Sequence, residues 1–369
     1  MIERLYIDNF RTLVNEEVKL GRTNLLLGGN GSGKSSVFAV VSKLQRLISG
    51  NYSVLSCFPT REMTRWDTRP DQVFELDLRN EVGAFHYRVQ VQHDRARHRA
   101  RITQESLQLD GKPIFSFVDG MVQLYNDYFT KGPSFPFGPE KSGLSVVNDR
   151  HDNIKLTRFK KDLQAVLIIQ PNPIGLSAES RSEDDSLEYT GSNFVSWYRF
   201  ISRQDIGRQH QLFDRLKDVL SGFSSFSIRG SPEAPAIMTV SFKPEEPDAK
   251  EAVYGLDELS DGQRVLLILY TLLYGMAGEK WSLFIDEPDN FVGLHQVQPW
   301  LTAALDAAGE NIEQLVLISH NPEIINYMAQ SKGIWLSRKN HGATRVEYQP
   351  NRTIAGISTA EAVARGLVD

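Results

Sequence analysis

Apolar residues near the N-terminus fall into short runs and then into one long periodic stretch. The runs predict strands at residues 4–10, 18–20 and 24–27, and the last of these is followed by glycines, as in a buried strand that ends in a turn. After Lys34, apolar residues recur at helical spacing: Val37, Val40, Val41, Leu44 and Leu47. This pattern predicts a helix of about four turns.

In the middle of the chain, apolar and polar residues alternate with a period of two. Residues 72–109 predict an antiparallel meander inserted after the first helix, and residues 131–153, rich in Gly, Pro, Ser and Asp, predict a loop. An apolar strand is expected at 165–169, followed by a polar, acidic loop at 177–192. Residues 194–220 predict a helix.

The last third alternates strands with helices. A helix is expected to begin near Ser260, and strands are expected at 283–285 and 315–318. Alternation of this kind predicts an α/β fold with a parallel sheet. The predicted domains are an α/β core, a β-rich lobe inserted into it and a helical or linker subdomain. They cover residues 1–50 with 255–369, residues 51–165, and residues 166–254.

Composition narrows the class of protein. The chain has 369 residues, 41% of them hydrophobic, and a formal net charge of −5, so a nucleic-acid contact would need a local basic patch. Cys57 is the only cysteine, which indicates a reducing compartment. The charged N-terminus is unlike a signal peptide, and no window reaches the length of a membrane span. We therefore expect a cytoplasmic protein without a membrane segment.

The segment from Gly28 to Ser35 fits the pattern G-x-x-x-x-G-K-[ST], the P-loop. Glycines let successive backbone N–H groups converge on phosphates, and the following helix points its positive end at them. Lys34 is expected to reach the β- and γ-phosphates of ATP, and Ser35 to bind Mg²⁺. The predicted phosphate-binding set is Gly28, Asn30, Gly31, Ser32, Gly33, Lys34, Ser35 and Ser36. The alternative is a chance match in a glycine-rich turn.

Two further apolar strands end in polar side chains. Asp286 and Glu287 follow the first, and because adjacent side chains on a strand point in opposite directions, they are expected to differ in role. Asp286 is predicted to hold Mg²⁺, and Glu287 to polarise the attacking water as general base. His320 follows the second strand, where it could sense the γ-phosphate. The alternatives are an ordinary strand-end pair of acids and a capping or core histidine.

The segment Leu259-Ser260-Asp261-Gly262-Gln263 by itself indicates only a serine cap at a helix start. Together with the P-loop, the acidic strand and His320 in the same order, however, it resembles the L-S-x-G-Q signature motif of ABC-type ATPases. The resemblance covers nearly the whole chain. It implies that Ser260, Gly262 and Gln263 bind the γ-phosphate held by a second protomer.

The opening I-x-N-F-R-x-L and the loop G-x-N-G-x-G-K-S-S resemble the soluble SMC, RecF and OLD-like branch of this family. The resemblance implies an ABC-type P-loop head carrying the meander and the helical subdomain. It also implies a homodimer, or higher oligomer, closed around two ATP molecules, with residues 288–295 at the interface. Gln170 is the candidate for the loop glutamine that links Mg²⁺ to the neighbouring lobe, with Gln72 and Gln104 as alternatives. Arg11 is a candidate for an arginine element near the nucleotide or DNA.

The chain departs from its relatives in two respects. It has no heptad run long enough for a coiled coil, and under fifty residues follow His320, too few for the nuclease domain of OLD proteins. We therefore expect a regulatory ATPase that gates a separate effector, such as a nuclease, in a DNA-directed or anti-phage system. The alternatives are a RecF-like repair ATPase that binds DNA directly and, less in keeping with the long insertion, the ATP-binding subunit of a transporter.

One feature indicates a possible nucleic-acid contact. Arg95, Arg97, Arg99 and Arg101 occupy alternate positions, so in an extended strand their guanidinium groups would lie on one face and could contact phosphates. The alternative is an ordinary solvated hairpin.

Overall fold

The computed structural model describes residues 1–231, 234–243, 250–276 and 280–348. The strands, in chain order, are β1 Ile2–Asp8, β2 Glu16–Lys19, β3 Thr23–Leu27, β4 Asp71–Arg79, β5 Ala84–Asp94, β6 Arg99–Leu109, β7 Lys112–Val118, β8 Met121–Tyr125, β9 Lys131–Pro136, β10 Val166–Ile169, β11 Glu179–Ser180, β12 Phe223–Ser231, β13 Ala234–Phe242, β14 Ala252–Gly255, β15 Trp281–Asp286, β16 Ile312–Ile318, β17 Gly333–Arg338 and β18 Thr344–Tyr348. The helices are α1 Lys34–Ser49, α2 Val54–Cys57, α3 Ile154–Gln164, α4 Phe194–Ser202, α5 Ile206–Val219, α6 Asp261–Tyr270, α7 Leu294–Ala307 and α8 Pro322–Lys332.

The chain forms two compact units. The first contains residues 1–166 and 328–369, and the second contains residues 167–327. The predicted ranges 1–50 and 51–165 fall in the first unit, and nearly all of 166–254 falls in the second. The predicted core range 255–369 is divided between the units, and its end, residues 349–369, lies outside the described residues.

An eight-stranded antiparallel sheet dominates the first unit, in the order β2-β1-β4-β5-β6-β7-β8-β9. The predicted meander is therefore continuous with the N-terminal strands and is longer than expected. On β4, Phe74, Leu76 and Leu78 are buried while the acidic residues between them are partly exposed, as the period of two requires. Phe74 stacks on Phe58 at 4.3 Å between ring centroids. This contact packs the segment that follows α2 against one face of the sheet.

A second group of strands in the first unit carries the glycine-rich loop. β3 pairs in parallel with β17, and β17 forms an antiparallel hairpin with β18. α1 follows the loop as predicted and buries the face that includes Val37, Val41 and Leu44.

The second unit contains the parallel pair β15 and β16, with Asp286 in register with Ile318. It also contains a small antiparallel sheet in which β13 pairs with β11, β12 and β14. The predicted helix 194–220 is two helices, α4 and α5, because Asp205 turns out of the helix and its carboxylate accepts a hydrogen bond from the amide of Arg208.

The loop prediction for residues 131–153 was wrong in part. β9 (Lys131–Pro136) pairs with β8 at the edge of the large sheet, and its side chains are mostly exposed. An edge strand of this kind buries no apolar face, so the sequence pattern carries no signal for it.

Candidate functional site

The glycine-rich loop links β3 to α1 in a conformation that requires glycine. Gly28, Gly31 and Gly33 have φ values of 141°, 77° and 106°. A Cβ atom on Gly28 would lie 2.0 Å from the carbonyl oxygen of Leu336, so no other residue fits there. The local structure is the strand–loop–helix that the P-loop pattern requires.

Three features of the loop fit the phosphate groups of a nucleotide. Lys34 is 6% exposed, and its Nζ donates to the carbonyl oxygens of Gly28 at 2.7 Å and Gly29 at 3.1 Å. The buried hydroxyl of Ser32 has no hydrogen-bond partner among the residues that the structure describes. Gly33 occupies the N-cap of α1 and brings no side chain to the helix start. A buried cation, a buried hydroxyl and an uncapped helix N-terminus suit an anion.

The remaining loop residues differ in exposure. Asn30 and Ser35 are exposed, whereas Ser36 is buried in the first turn of α1. Ser35 is therefore accessible to a ligand from solvent at the start of α1.

The β17–β18 hairpin braces the loop. Arg338 donates to the carbonyl oxygen of Gly31 at 3.1 Å, and the Thr344 hydroxyl donates to that of Ser32 at 2.7 Å. Sequence reasoning missed both residues, and the only local signal was the short alternation after His341. The hairpin fixes two carbonyls of the loop and so restrains its conformation.

Arg11 lies beside the first turn of α1, which places the expected arginine element near the loop. Its guanidinium donates to the Ser36 hydroxyl at 3.4 Å and pairs with Glu62 at 2.7 Å. Glu62 also pairs with Lys43 at 2.7 Å. Burial raises the pKa of Glu62, but hydrogen bonds and charges from Lys43 and Arg11 outweigh it, so the net pKa is lowered. Glu62 therefore holds both cations in place.

The acidic residues lie in the second unit at the end of β15. Asp286 ends the strand and is 3% exposed, whereas Glu287 has a left-handed conformation, with φ 52°, and its amide donates to Ile318 at 2.7 Å. The two side chains therefore point in different directions because the backbone turns at Glu287. The sequence predicted that this difference would come from the alternation of side chains along a strand. The Glu287 carboxylate accepts a hydrogen bond from the side chain of Asn290.

Tyr189 joins two of the predicted residues. Its hydroxyl donates to Oδ2 of Asp286 at 3.2 Å, and its carbonyl oxygen accepts from the amide of Gln170 at 2.7 Å. Gln170 and Asp286 are therefore connected through hydrogen bonds to the same residue. Sequence reasoning missed Tyr189, which lies in the segment predicted only as a polar loop.

The two alternative glutamines lie in the first unit and have other partners. Gln72 is buried and donates to the carbonyl oxygen of Asn9 at 2.7 Å, while Gln104 on β6 accepts from Arg88 at 3.0 Å.

His320 is exposed just beyond the end of β16. The preceding Ser319 donates to Asp289 at 2.7 Å. Burial raises the pKa of Asp289. The segment after Asp286 and the segment after Ile318 are thus tied together in the second unit, with His320 at their solvent side.

The signature segment begins α6 with a capping box. Ser260 caps the helix by accepting from the Gln263 amide, and the Gln263 side chain accepts from the Ser260 amide at 3.0 Å. A Cβ atom on Gly262 would lie 2.9 Å from the carbonyl oxygen of Phe291, so the glycine permits close approach of the Phe291 backbone. Ser260 thus caps α6, as the sequence indicated, and it remains exposed at the helix start.

The arginine prediction was wrong in one respect. Residues 95–98 form the turn between β5 and β6, so Arg95 and Arg97 do not continue an extended strand, and only Arg99 and Arg101 lie on β6. The turn nevertheless brings all four to the lining of one cavity of about 880 Å³.

The predicted site residues are divided between the two units. The loop residues and Arg11 lie in the first unit, and Gln170, Ser260, Asp286, Glu287 and His320 lie in the second. Among the described residues, no three or more His, Cys, Asp or Glu side chains form a metal-holding group. No helix in the described part of the chain is long and apolar enough to cross a membrane.

Comparisons with known proteins identify the fold and the family. The family described as "AAA domain, putative AbiEii toxin, Type IV TA system" matches residues 24–326. No curated protein matches the chain. The structure of an SmcHead bound to the C-winged helix domain of ScpA is similar at a TM-score of 0.58 and 13% identity, over 94% of this chain and 97% of that one. An SMC head domain from Thermotoga maritima matches at a TM-score of 0.46 and 12% identity, over 94% of this chain and 98% of that one.

The SmcHead match confirms the expected fold class, an ABC-type P-loop head of mixed α/β structure. The family match spans the glycine-rich loop, the signature segment, the acidic strand and His320. The described residues contain no coiled coil. The chain therefore belongs to the AAA-domain family and has the fold of an SMC-type P-loop head.

Proposed function

We propose that this chain is an ATP-binding and ATP-hydrolysing regulatory subunit that dimerises around two ATP molecules. In this proposal, it gates a partner effector in a DNA-directed or anti-phage defence system. The observation that carries the nucleotide-binding part is the glycine loop, in which Gly28, Gly31 and Gly33 adopt left-handed conformations around the buried Lys34. A loop of this kind suits phosphate because backbone N–H groups and an ammonium converge where no Cβ intervenes.

The proposed chemical roles follow the charges of the side chains. Lys34 binds the phosphates, and Ser35 and Asp286 hold Mg²⁺, which neutralises phosphate charge when bound. Glu287 polarises the attacking water, and Asn290, which donates to the Glu287 carboxylate, orients it. Gln170 serves as the loop glutamine, supported by its hydrogen bond to Tyr189, the residue that contacts Asp286.

Dimerisation is supported by the surface around the signature segment. Ser260 is exposed at the start of α6, where Gly262 and Gln263 also lie. Phe291 and Leu294 are 49% and 55% exposed, and the Phe291 carbonyl lies against Gly262. Exposed apolar side chains beside an exposed helix N-terminus suit an interface that also receives a phosphate. In the proposed dimer, Ser260, Gly262 and Gln263 act on the γ-phosphate held by the partner, and His320 senses that phosphate.

A separate effector protein is the proposed partner of the dimer. The similar SmcHead structure is bound to the C-winged helix domain of ScpA. We propose that this chain likewise docks a second protein, such as a nuclease, and that ATP-dependent closure changes the contact. Purification of the native complex followed by mass spectrometry tests this step, and recovery of the chain without any stoichiometric partner would contradict it.

The dimer is tested with Glu287→Gln, which keeps the size of the side chain and removes its basicity. We expect this variant to accumulate as a dimer in ATP and Mg²⁺ when measured by light scattering after gel filtration. The double variant Lys34→Ala/Glu287→Gln is the control and should stay monomeric. A monomeric Glu287→Gln protein in ATP, with and without the co-purified partner, would exclude the ATP-sandwiched dimer.

The second candidate function is a RecF-like repair ATPase that binds DNA directly. The cavity lined by Arg95, Arg97, Arg99 and Arg101 favours it. For the repair ATPase, DNA should change the rate of ATP hydrolysis, whereas for the regulatory subunit the protein partner should change it. A steady-state ATPase assay with DNA and, separately, with the co-purified partner distinguishes the two candidates.

A further inference from the structure

The turn between β5 and β6 forms one wall of a cavity of about 880 Å³ in the first unit. We call this cavity the arginine groove, and its charged lining consists of Arg95, Arg97, Arg99, Arg101, Asp94 and Glu140. Its volume lies within the range of about 300–1,000 Å³ that is typical of sites for small ligands.

The guanidinium groups of the arginine groove are poorly neutralised. Arg95 donates to the carbonyl oxygen of Asp67 at 2.6 Å, and Arg101 donates to Oε1 of Gln92 at 2.7 Å, so both use uncharged acceptors. Arg97 lies 3.8 Å from Asp94, the only carboxylate within 4 Å of any of the four arginines in the described part of the chain. Arg95, Arg99 and Arg101 therefore have no carboxylate within ion-pair distance in the described part of the chain, and their positive charge is open to a ligand.

The lining carries a net positive charge in an acidic protein. Four arginines against Asp94 and Glu140 give 4 − 2 = +2, counting the lining residues alone, whereas the whole chain has a net charge of −5. A concave surface of one sign focuses the potential on ligands of the opposite sign.

The floor of the arginine groove is neutral. His93 is almost fully buried there, and its ring bonds to Oε1 of Gln72 at 2.9 Å and to the Thr60 hydroxyl at 3.2 Å. Burial, followed by the charge of Arg95, lowers the pKa of His93 to about 4. The ring is thus uncharged at neutral pH, and the positive charge of the lining comes from the exposed arginine side chains.

We propose that the arginine groove binds phosphate groups of a polyanionic ligand, with Arg97 and Arg99 as its main contacts. Both residues are exposed, and the Arg97 side chain is 76% exposed, so neither must leave a buried partner to bind. Guanidinium groups suit this role because their planar N–H forks match phosphate oxygens. The phosphates could belong to a nucleic-acid backbone or to a free oligophosphate, and the experiment separates these sources. The inference goes beyond ATP hydrolysis and does not depend on it.

The test uses the full chain with Arg97→Glu/Arg99→Glu and a matched control, Arg22→Glu/Lys131→Glu. The control reverses two exposed charges that do not line the arginine groove. Fluorescence anisotropy with labelled single-stranded and duplex DNA, repeated at several salt concentrations, measures nucleic-acid binding. Calorimetry with inorganic tripolyphosphate, on a Lys34→Ala background that disables the glycine loop, measures binding of free oligophosphate.

For a nucleic-acid backbone, we expect the groove variant to bind DNA about 10- to 100-fold more weakly than the control. The slope of log K against log salt should fall by about 2, one for each lost phosphate contact. For a free oligophosphate, only the tripolyphosphate affinity should fall. Binding of a fluorescent ATP analogue to protein with an intact Lys34 should be unchanged in both variants, which separates this proposal from the proposed function.

Two results would overturn the proposal. The first is that the groove variant binds every probe as tightly as the wild type does. The second is that the groove variant and the control lose the same affinity relative to the wild type, which would indicate that binding depends on the overall charge of the protein. Arg99→Gln, a milder change on an exposed side chain, provides a second measurement if the double variant has a lowered melting temperature.

Discussion

The hydroxyl of Tyr189 donates a hydrogen bond to Oδ2 of Asp286 across 3.2 Å. The same residue accepts the amide hydrogen of Gln170 through its carbonyl oxygen at 2.7 Å. One loop residue thus links the strand-end carboxylate to the glutamine that follows β10. A donor held on one oxygen of a carboxylate fixes its orientation, as neighbours of metal ligands commonly do.

Tyr189→Phe should weaken the response to Mg²⁺. The variant keeps the ring and removes only the donor, so Asp286 loses its orientation, and we expect the Mg²⁺ concentration for half-maximal ATP hydrolysis to rise about tenfold. The same shift should appear in Mg²⁺ titrations of fluorescent ATP-analogue binding, while analogue binding without Mg²⁺ stays unchanged. Tyr254→Phe, at a tyrosine whose ring packs on Phe242, is the control. An unchanged or lower Mg²⁺ requirement would exclude this positioning role.

Gly28→Ala should damage both the fold and nucleotide binding. The added Cβ would meet the carbonyl oxygen of Leu336 at 2.0 Å, and φ of 141° is strained for alanine, so we expect a loss of about 1–3 kcal/mol in the free energy of unfolding. ATP binding should fall at least tenfold. Gly175→Ala, whose added Cβ would have no atom within 4 Å, is the control. Urea unfolding and equilibrium ATP binding measure both effects, and wild-type values for Gly28→Ala would contradict the tight approach.

Phe291→Asp should prevent dimerisation without affecting ATP binding. Phe291 is exposed, and aspartate tolerates its left-handed conformation, so the change replaces an apolar contact with a charge at little cost to the fold. In the Glu287→Gln background, we expect the dimer dissociation constant to rise at least tenfold. Ile206→Asp, at another exposed apolar side chain of the second unit, should leave the dimer intact. Light scattering over a range of protein concentrations measures the constant, and an equally tight Phe291→Asp dimer would remove residues 288–295 from the interface.

Protonation of His93 should lower the free energy of unfolding as the pH falls. Its pKa is about 4 in the folded protein and about 6.5 in an unfolded chain, so between these values the unfolded state binds the extra proton. The contribution is fully present above pH 6.5 and is lost as pH falls towards 4, and at pH 5 the part already lost amounts to about 2 kcal/mol. His93→Gln removes the titrating group and should flatten the fall in stability between pH 7 and 5. Urea unfolding at both pH values checks this, and parallel pH profiles of variant and wild type would contradict it.

Local pattern was sufficient for elements that bury one face. The alternation of Phe74, Leu76 and Leu78 predicts β4, and the helical spacing after Lys34 predicts α1, because the period of each element decides which side chains leave water. The pattern failed for β9, which lies at the sheet edge with exposed side chains, and for the break between α4 and α5, where Asp205 is a polar residue on an otherwise helical pattern. Neither feature changes the burial of apolar residues enough to be detected in sequence.

The sequence by itself determined the glycine loop, the two strand-end acids and the capped start of α6, because each depends on neighbours within a few positions. Only the tertiary structure decided what supports them. Arg338 contacts the glycine loop from 307 positions away, and Tyr189 contacts Asp286 from 97 positions away. The tertiary structure also decided that Arg95 and Arg97 lie in a turn and still line the same cavity as Arg99 and Arg101. Contacts of this range depend on how strands pair and loops fold back, and no local periodicity encodes them.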